Sequence, residues 1–339
     1  MIKSNKLVNK YNTNLNNDFE GELYMSLKKS KVAIIGTGLV GSSTAFSLIT
    51  QGVCDEILMI DINEERALGE VMDLNHCIEY LNRNTKVVRG SYDQCSDVDV
   101  IVITAGAPPK PGQTRVDTLD LSARIVESIV DPIMKSGFRG HFIVISNPVD
   151  MIAYHVYKIS GLPKNHIIGT GTSVDSARLK NFIGELLNVD PRSVQAYSMG
   201  EHGDSQMVPW SHVTVGGKSF YEILKDNKDR VGDVDLDKLV LETAKAGWEV
   251  YNRKGTTYYG IATATVGIIK AIMNDENKII PVSTLLEGEY GENDVFCGVP
   301  AVLNADGVKE VVEIHMTNDE LNKFKKSVAL IKSLSKKIN

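Results

Sequence analysis

A histidine in an acidic, glycine-flanked turn is the residue of this chain best suited to move a proton. The turn Glu201–Asp204 has the sequence EHGD. Histidine ordinarily changes protonation near neutral pH, so His202 is a candidate acid/base group. Upstream, Val174–Arg178 (VDSAR) carries a carboxylate and a guanidinium three residues apart. Asp175 could hold the imidazole and favour its protonated form, and Arg178 offers a planar fork for a bidentate grip on a carboxylate.

Taken singly, each of these residues has a simpler structural explanation. Asp175 and Arg178 could form an i,i+3 ion pair on a helix surface, and a lone histidine is more often structural than catalytic. The acid/base hypothesis therefore needs support from elsewhere in the sequence. We assign a structural or surface role to the other histidines of the chain, which are His76, His141, His155, His166, His212 and His315.

A glycine-rich turn near the amino terminus supplies that support. Gly36–Gly41 has the sequence GTGLVG, follows the β-branched run Lys31–Ile35 and opens a stretch of helical composition. A G-x-G-x-x-G motif alone is weak evidence. Here a strand precedes it, a helix follows it, and Asp61 ends the next strand 20 residues after Gly41. This combination predicts a dinucleotide-binding site.

The residues of the turn have distinct physical tasks. Gly36 permits the tight turn, Gly38 lets the backbone approach a pyrophosphate, and Gly41 lets the helix pack closely on the strand. The backbone of Leu39 and Val40 begins the helix, whose unpaired N–H groups and positive dipole end attract phosphate.

The acidic residue after the second strand selects between cofactors. Asp61 would accept hydrogen bonds from the ribose hydroxyls and repel a 2′-phosphate, which favours NAD over NADP. The alternative is a solvated acid at the end of a strand. With the glycine turn beside it, we predict that NAD is the cofactor.

Strand-like and helical segments alternate through the first half of the chain. Val100–Ile103 is apolar on both faces, as expected for a buried strand of a parallel sheet. The alternation predicts a doubly wound, Rossmann-type α/β sheet. The predicted strands are Lys31–Ile35, Glu56–Asp61, Lys86–Arg89, Asp99–Thr104 and Phe142–Ser146, and the predicted helices are Gly41–Gln51, Asn63–Tyr80 and Thr114–Ser136.

The second half of the chain mixes helices with short strands and predicts an α+β substrate domain packed on the first. We expect a polar, disordered extension over residues 1–29, an NAD-binding Rossmann domain over 30–172 and a substrate and catalytic domain over 173–337. The predicted helices are Val149–Ser160, Ser173–Leu187, Leu236–Lys254, Tyr259–Met273 and Asn318–Lys337, with strands at Ser193–Met199, His212–Val215 and Val308–Ile314.

Composition argues against several classes of protein. The net charge of −6 disfavours a nucleic-acid surface, which usually needs a basic stripe. No window approaches the ~18 uninterrupted apolar residues of a membrane span. The cysteines lack the spacing that is typical of metal ligands, and scattered thiols are typical of a reduced, cytoplasmic protein. The four cysteines are Cys54, Cys77, Cys95 and Cys297.

Hydride transfer to a keto acid is a reaction that would use both sites. It develops charge on the carbonyl oxygen, which needs a proton donor and a polarising cation, and the substrate carboxylate needs a second cation. His202 suits the first task and Arg178 the last. Arg115 lies just after the Gly/Pro-rich segment Ala105–Thr114, so closure of a mobile loop could carry it onto the substrate. Alone, Arg115 could equally be a solvated charge.

Together these residues resemble the L-lactate/malate dehydrogenase family. The resemblance runs from about Lys31 to Leu334. Within the family, the phrases Asp175–Arg178 and Lys254–Ile261 (KGTTYYGI) are similar to the NAD-dependent L-lactate branch. The motifs that carry the resemblance are Gly36–Gly41, Thr104–Arg115 (TAGAPPKPGQTR), Ser146–Asp150 (SNPVD), Gly169–Arg178 (GTGTSVDSAR) and Gly200–Ser205 (GEHGDS).

The resemblance implies roles for individual residues. His202 is the acid/base group, Asp175 is its partner, Arg178 grips the substrate carboxylate and Arg115 polarises the carbonyl. Without the family, Asn147 could be a turn former before Pro148. The family places Asn147 near substrate and nicotinamide, Thr257 in the substrate pocket, Ile261 beside the nicotinamide, and Thr104, Ala105, Gly106 and Ser146 in the cofactor site.

One departure from the family pattern concerns the substrate. The loop position that typically holds Gln in lactate enzymes and Arg in malate enzymes is Pro109 here. A second substrate carboxylate buried without a cation would cost several kcal/mol, so oxaloacetate is disfavoured. Proline also leaves an apolar loop face, which raises branched 2-hydroxy acids as competitors of lactate.

A second departure concerns regulation. Bacterial lactate enzymes activated by fructose 1,6-bisphosphate carry an Arg and a His at a subunit interface, and the matching positions here are Lys180 and Gln195. Lys180 can attract phosphate, but Gln195 has no charge. We therefore expect weak or absent activation.

The resemblance implies a cytoplasmic homotetramer in fermentative glycolysis that interconverts pyruvate and L-lactate with NAD. A broader L-2-hydroxyacid dehydrogenase of the 2-hydroxyisocaproate type is the second interpretation, and a malate dehydrogenase is the third. A different class, a non-catalytic dinucleotide-binding protein, stays open because fold alone does not imply activity. No metal, nucleic acid or membrane is expected as a partner.

Overall fold

One large sheet organises the computed structural model, which describes residues 28–107 and 118–336. Its parallel part has the order β6-β5-β4-β1-β2-β3, with paired strands running in one direction. This is the doubly wound order of a Rossmann fold, as predicted. The strands are β1 (Lys31–Ile35), β2 (Glu56–Ile60), β3 (Lys86–Arg89), β4 (Val100–Ile103), β5 (His141–Val144) and β6 (Ile167–Gly169).

Helices cover both faces of this sheet because its central strands are apolar on both sides. All residues of β4 are buried, and they divide between two separate apolar clusters. The helices of this part are α1 (Leu39–Gln51), α2 (Glu64–Cys77), α3 (Leu119–Lys135), α4 (Val149–Ser160) and α5 (Ser173–Leu187). The predicted helices agree with these to within a few residues, and the start of Thr114–Ser136 lies outside the described residues.

The second half of the chain extends the same sheet. Strands β10 (Lys278–Glu287), β11 (Asn293–Asn304) and β12 (Gly307–Val311) form an antiparallel meander, and β10 pairs with β6 at Ser283 and Gly169. A small separate sheet contains β7 (Val194–Gln195), β8 (Thr214–Val215) and β9 (Lys218–Ser219), and the remaining helices are α6 (Phe220–Asp226), α7 (Lys228–Val231), α8 (Leu236–Lys254), α9 (Tyr259–Met273) and α10 (Asn318–Ser335).

Sequence patterns missed the two longest strands, β10 and β11. Each contains a proline, and Pro281 faces Pro300 across the pair. Proline cannot donate to a strand ladder and usually argues against a strand. The predicted strands Ser193–Met199, His212–Val215 and Val308–Ile314 are longer than or offset from the observed β7, β8 and β12.

The domain division at residue 172 stays a prediction, and the sheet runs across it. The extension predicted over residues 1–29 lies almost wholly outside the described residues. In the described part of the chain, no helix is both long and apolar enough to cross a membrane. The four cysteines are free, and all but Cys77 are buried.

The meander is fastened to the Rossmann part by aromatic packing. Phe296 of β11 is fully buried, with its ring centroid 6.2 Å from that of Tyr154 and 5.9 Å from that of Tyr157 on α4. We predict that Phe296→Ala lowers the free energy of unfolding by about 3–5 kcal/mol, because the truncation leaves a cavity. Urea denaturation would measure this.

The matched control is Tyr80→Ala. Tyr80 is 87% exposed, so its loss should change the free energy of unfolding by less than about 0.5 kcal/mol. Equal losses in the two variants would contradict the packing role of Phe296.

Candidate active site

The glycine turn after β1 is compact because side chains are missing at two positions. Gly36 has φ +95°, and a Cβ there would lie 2.7 Å from Thr104 Oγ1. A Cβ on Gly41 would lie 1.9 Å from the Gly36 carbonyl oxygen. Gly38 is different, since a Cβ there would meet no protein atom within 4 Å. Gly38 therefore borders open space at the start of α1.

Asp61 at the end of β2 holds this turn in place. Its Oδ2 accepts hydrogen bonds from the Thr37 amide (2.6 Å) and the Thr37 hydroxyl (3.1 Å), and its Oδ1 accepts one from the Asn63 amide (2.9 Å). The same carboxylate borders the cavity described below. Asp61 thus orients the turn while it remains in reach of a ligand.

The ends of β4 and β5 form the next wall. Thr104 Oγ1 donates to the Gly36 carbonyl (2.8 Å), and Ser146 Oγ donates to the Ala105 carbonyl (2.5 Å). Beside them, Asn147 Oδ1 is buried and has no hydrogen-bond partner among the described residues. An unpaired buried acceptor is costly, so Asn147 is prepared to receive a donor from a bound ligand.

A cavity of about 820 Å³ joins these walls to the histidine. It opens at the carboxyl ends of the parallel strands, where β1 and β4 diverge into opposite crossovers and where α/β sheets bind ligands. Predicted site residues that line it are Gly36, Gly38, Leu39, Val40, Asp61, Thr104, Ala105, Gly106, Ser146, Asn147, Arg178, His202, Thr257 and Ile261.

Two predicted site residues in the described part of the chain do not line the cavity. Gly41 packs α1 against the turn, as its close approach to Gly36 requires. Asp175 is 1% exposed and lies behind the histidine. Pro109 and Arg115 lie outside the described residues.

The predicted acid/base pair is assembled on the start of α5. His202 Nδ1 lies 2.5 Å from Asp175 Oδ2, and Arg178 Nη1 donates to Asp175 Oδ1 at 2.8 Å. The contact between Arg178 and Asp175 follows from the helix alone, since residues three apart share a helix face. The histidine arrives from a different segment, so one buried carboxylate joins His202 and Arg178 at the cavity wall.

Sequence reasoning missed other residues of the site, among them four on helices α8 and α4. Gly247, Trp248 and Tyr251 of α8 line the cavity. Their i, i+1 and i+4 spacing on an amphipathic helix was the available signal, but it does not distinguish a cavity wall from a core face. The fourth, Asp150 on α4, is 1% exposed and accepts a hydrogen bond from the His202 amide. Its place at the end of the motif Ser146–Asp150 does not by itself indicate this contact.

The cavity suits a dinucleotide by its shape and its donors. Gly38 leaves backbone accessible where a pyrophosphate would approach, the amino end of α1 presents its N–H groups there, and Asp61 lies at the carboxyl end of the neighbouring strand. A histidine–carboxylate pair stands at the opposite wall. The fold and site together define a dinucleotide-binding protein with a histidine–carboxylate pair at the wall of the cofactor cavity.

Comparison with known proteins gives the family. Residues 30–169 match the lactate/malate dehydrogenase NAD-binding domain, and residues 172–339 match the lactate/malate dehydrogenase α/β C-terminal domain. The chain therefore belongs to the lactate/malate dehydrogenase family, and its cofactor is NAD.

Curated relatives and solved structures agree with this assignment. The chain is 58% identical to L-lactate dehydrogenase 3 of Bacillus anthracis over 91% of its own length and 98% of the relative's. It is 47% identical to L-lactate dehydrogenase 2 of Bacillus cereus over 89% of its length and 96% of the relative's. The ligand-bound minor L-lactate dehydrogenase of Enterococcus mundtii superposes with a TM-score of 0.88 at 43% identity, covering 92% of this chain and 99% of that one.

Gly38 offers a direct test of the cofactor site. In Gly38→Ala the new methyl group meets no protein atom, so we predict normal folding and an NADH Kd raised at least about tenfold by contact with the pyrophosphate. Thermal unfolding and NADH fluorescence would measure the two quantities.

Gly69→Ala on α2 is the matched control, because a Cβ there is also unobstructed. It should leave NADH binding unchanged and stabilise the helix by about 0.5–1 kcal/mol. An unchanged Kd in Gly38→Ala would contradict the predicted position of the pyrophosphate.

Proposed function

We propose that this protein is an NAD-dependent L-lactate dehydrogenase that reversibly reduces pyruvate to L-lactate. The observation that carries the proposal is the short contact between His202 Nδ1 and the buried Asp175, with Arg178 on the same carboxylate. Relatives that are named L-lactate dehydrogenase and that align over nearly the whole chain support the same activity.

The proton is handled at His202. Because Nδ1 is engaged by Asp175, Nε2 is the ring atom that exchanges a proton with the substrate oxygen. Asp175 fixes the orientation of the ring and stabilises its charged form. Reduced NAD supplies the hydride when it is bound. In lactate oxidation the same imidazole starts neutral and accepts the proton.

The substrate is held as an anion by Arg178. Its Nη1 binds Asp175, and its guanidinium also borders the cavity, so the remaining donors can bind a carboxylate. Asn147, with its unpaired buried oxygen, accepts a hydrogen bond beside the nicotinamide, and Thr257 borders the substrate side chain. Arg115 as the polarising cation rests on the family resemblance.

Pyruvate is the preferred keto acid in this proposal. Among the described residues that line the cavity, the arginines and lysines are Arg66 on α2, which follows the strand that ends before Asp61, and Arg178 on α5. Arg178 serves the carboxylate common to all 2-keto acids. A second carboxylate, as in oxaloacetate, has no described cation to bind it, and Pro109 adds none. A longer aliphatic side chain meets no such penalty.

We further propose that the enzyme is a cytoplasmic homotetramer. Support comes from large apolar side chains at the surface of neighbouring helices α1 and α2, where Phe46, Leu68 and Met72 are 51%, 42% and 54% exposed. Exposed apolar groups concentrated on adjacent elements are typical of subunit interfaces. We also propose weak or absent activation by fructose 1,6-bisphosphate, since Gln195 carries no charge and Lys180 alone is left to attract a phosphate.

A panel of keto acids tests the substrate. With NADH, we expect kcat/KM to be highest for pyruvate, lower for 2-ketoisocaproate, and at least about 100-fold lower for oxaloacetate, because burying an unpaired carboxylate costs several kcal/mol. Preference for 2-ketoisocaproate would favour the hydroxyisocaproate type of enzyme. Preference for oxaloacetate would contradict the interpretation of Pro109.

Removal of the imidazole tests the proton donor. We predict that His202→Ala lowers kcat for pyruvate reduction by about 10²–10⁴-fold, the range that general acid catalysis supplies, while the Kd for NADH stays within about twofold. His212→Ala is the matched control, since that imidazole contacts Ser211 and does not line the cavity. Substantial turnover in His202→Ala would place the proton donor elsewhere, and no turnover in the unaltered protein would favour a non-catalytic binder.

A further inference from the structure

A second buried carboxylate, besides Asp175, contacts the catalytic turn Glu201–Asp204. Asp150 belongs to the first turn of α4 and is 1% exposed. Its Oδ2 accepts a hydrogen bond from the His202 amide (2.8 Å), and its Oδ1 accepts one from Ser283 Oγ (2.6 Å) on β10. Asp150 therefore ties the main chain of the histidine to the central sheet.

The surroundings of Asp150 make its charge matter. Burial raises the pKa of the Asp150 carboxyl to about 6, although the hydrogen bonds from Ser283 and the His202 amide oppose the rise. The titratable groups that face it are His202 and Glu201 on the catalytic turn and the buried thiol of Cys297 on β11. Of these, only His202 can carry a positive charge, so the two groups stabilise each other's charged forms.

We infer that Asp150 is a positioning residue for the proton transfer: its carboxylate fixes the main chain at His202 and its negative charge favours the protonated imidazole. The inference rests on the proposed function for its kinetic consequence. The Asp150 side chain thus has two separable effects. A hydrogen-bond acceptor sets the place of the ring, and a charge sets the pH range over which the ring delivers a proton.

The isosteric variant Asp150→Asn separates the two effects. Its amide oxygen can still accept from the His202 N–H, and its NH₂ group can donate to Ser283, so the turn stays in place. The negative charge is gone, and the imidazole loses its proton more easily. We expect the pH at which kcat/KM for pyruvate falls by half to decrease by at least about half a unit. The pH at which kcat/KM for lactate rises should decrease equally.

The titration of Asp150 itself sets the range of the effect. Below about pH 5 the carboxyl is neutral in the unaltered protein too, so the two proteins should then agree. Above about pH 7 the carboxylate is ionised and the difference should be fully present. A purely structural role would change kcat or KM without moving either midpoint.

Asp150→Ala tests the hydrogen bond. It leaves the buried His202 amide without its acceptor and lets the turn shift, so kcat should fall by about 100-fold while the Kd for NADH stays unchanged. Asp150→Asn should restore most of this loss. Asp190→Asn is the charge-matched control, because this exposed carboxylate pairs with Arg192 and should leave every midpoint in place.

Titration of the histidine ring gives a readout that needs no turnover. In cofactor-free protein labelled with ¹³C at histidine Cε1, the His202 signal, identified by its absence in His202→Ala, should titrate at lower pH in Asp150→Asn. An unmoved midpoint in both NMR and kinetics, or full kcat in Asp150→Ala, would overturn the inference. A protein that shows the NMR shift but reduces no keto acid would refute the proposed function alone.

Ser283→Ala keeps the inference testable if the Asp150 variants do not fold. It removes one donor from the carboxylate and leaves the His202 amide bound, so Asp150 becomes neutral at higher pH than in the unaltered protein. The kinetic midpoints should then move in the same direction as in Asp150→Asn, by a smaller amount. Midpoints that stay in place would overturn the role of the charge.

Discussion

The carboxylate of Asp175 is the point on which the arrangement of the site depends. It is almost fully buried and binds an imidazole with one oxygen and a guanidinium with the other. An isolated charge there would be unfavourable, and the contacts with the imidazole and the guanidinium offset that cost. His202, the proposed proton donor, and Arg178, the proposed binding group for the substrate anion, are thereby held at a fixed separation. Their geometry cannot relax independently, because both bind the same buried carboxylate.

The shape of the cofactor cavity likewise depends on a few hydrogen bonds. The glycine turn is fixed by Asp61 through the Thr37 backbone and by Thr104 from the neighbouring strand. These hydrogen bonds therefore fix the conformation of the turn before any ligand binds. The Gly38 position remains open and Asn147 keeps an unpaired oxygen. The open space at Gly38 and the unpaired acceptor on Asn147 are two positions at which a ligand could make contacts.

Much of this was predictable from local patterns. Gly36–Gly41 and Asp61 identify the cofactor site because each residue type answers a local steric or electrostatic need, and the helices Val149–Ser160 and Tyr259–Met273 agree with their predicted bounds. The β10–β11 pair was not predicted, because each strand contains a proline and proline usually argues against a strand. Asp150 and Trp248 were missed because their importance arises from contacts with segments distant in sequence. Pro109 and Arg115 remain sequence-based predictions.

The catalytic turn is completed by the last parts of the chain. Gly200 exchanges two backbone hydrogen bonds with Gly298 on β11, and Ser327 of α10 accepts one from the Glu201 amide. During synthesis on the ribosome, the glycine turn and its strands emerge long before these partners. A nascent chain can therefore assemble a nucleotide cradle early, whereas the histidine acquires its final orientation only when the carboxyl-terminal helix docks.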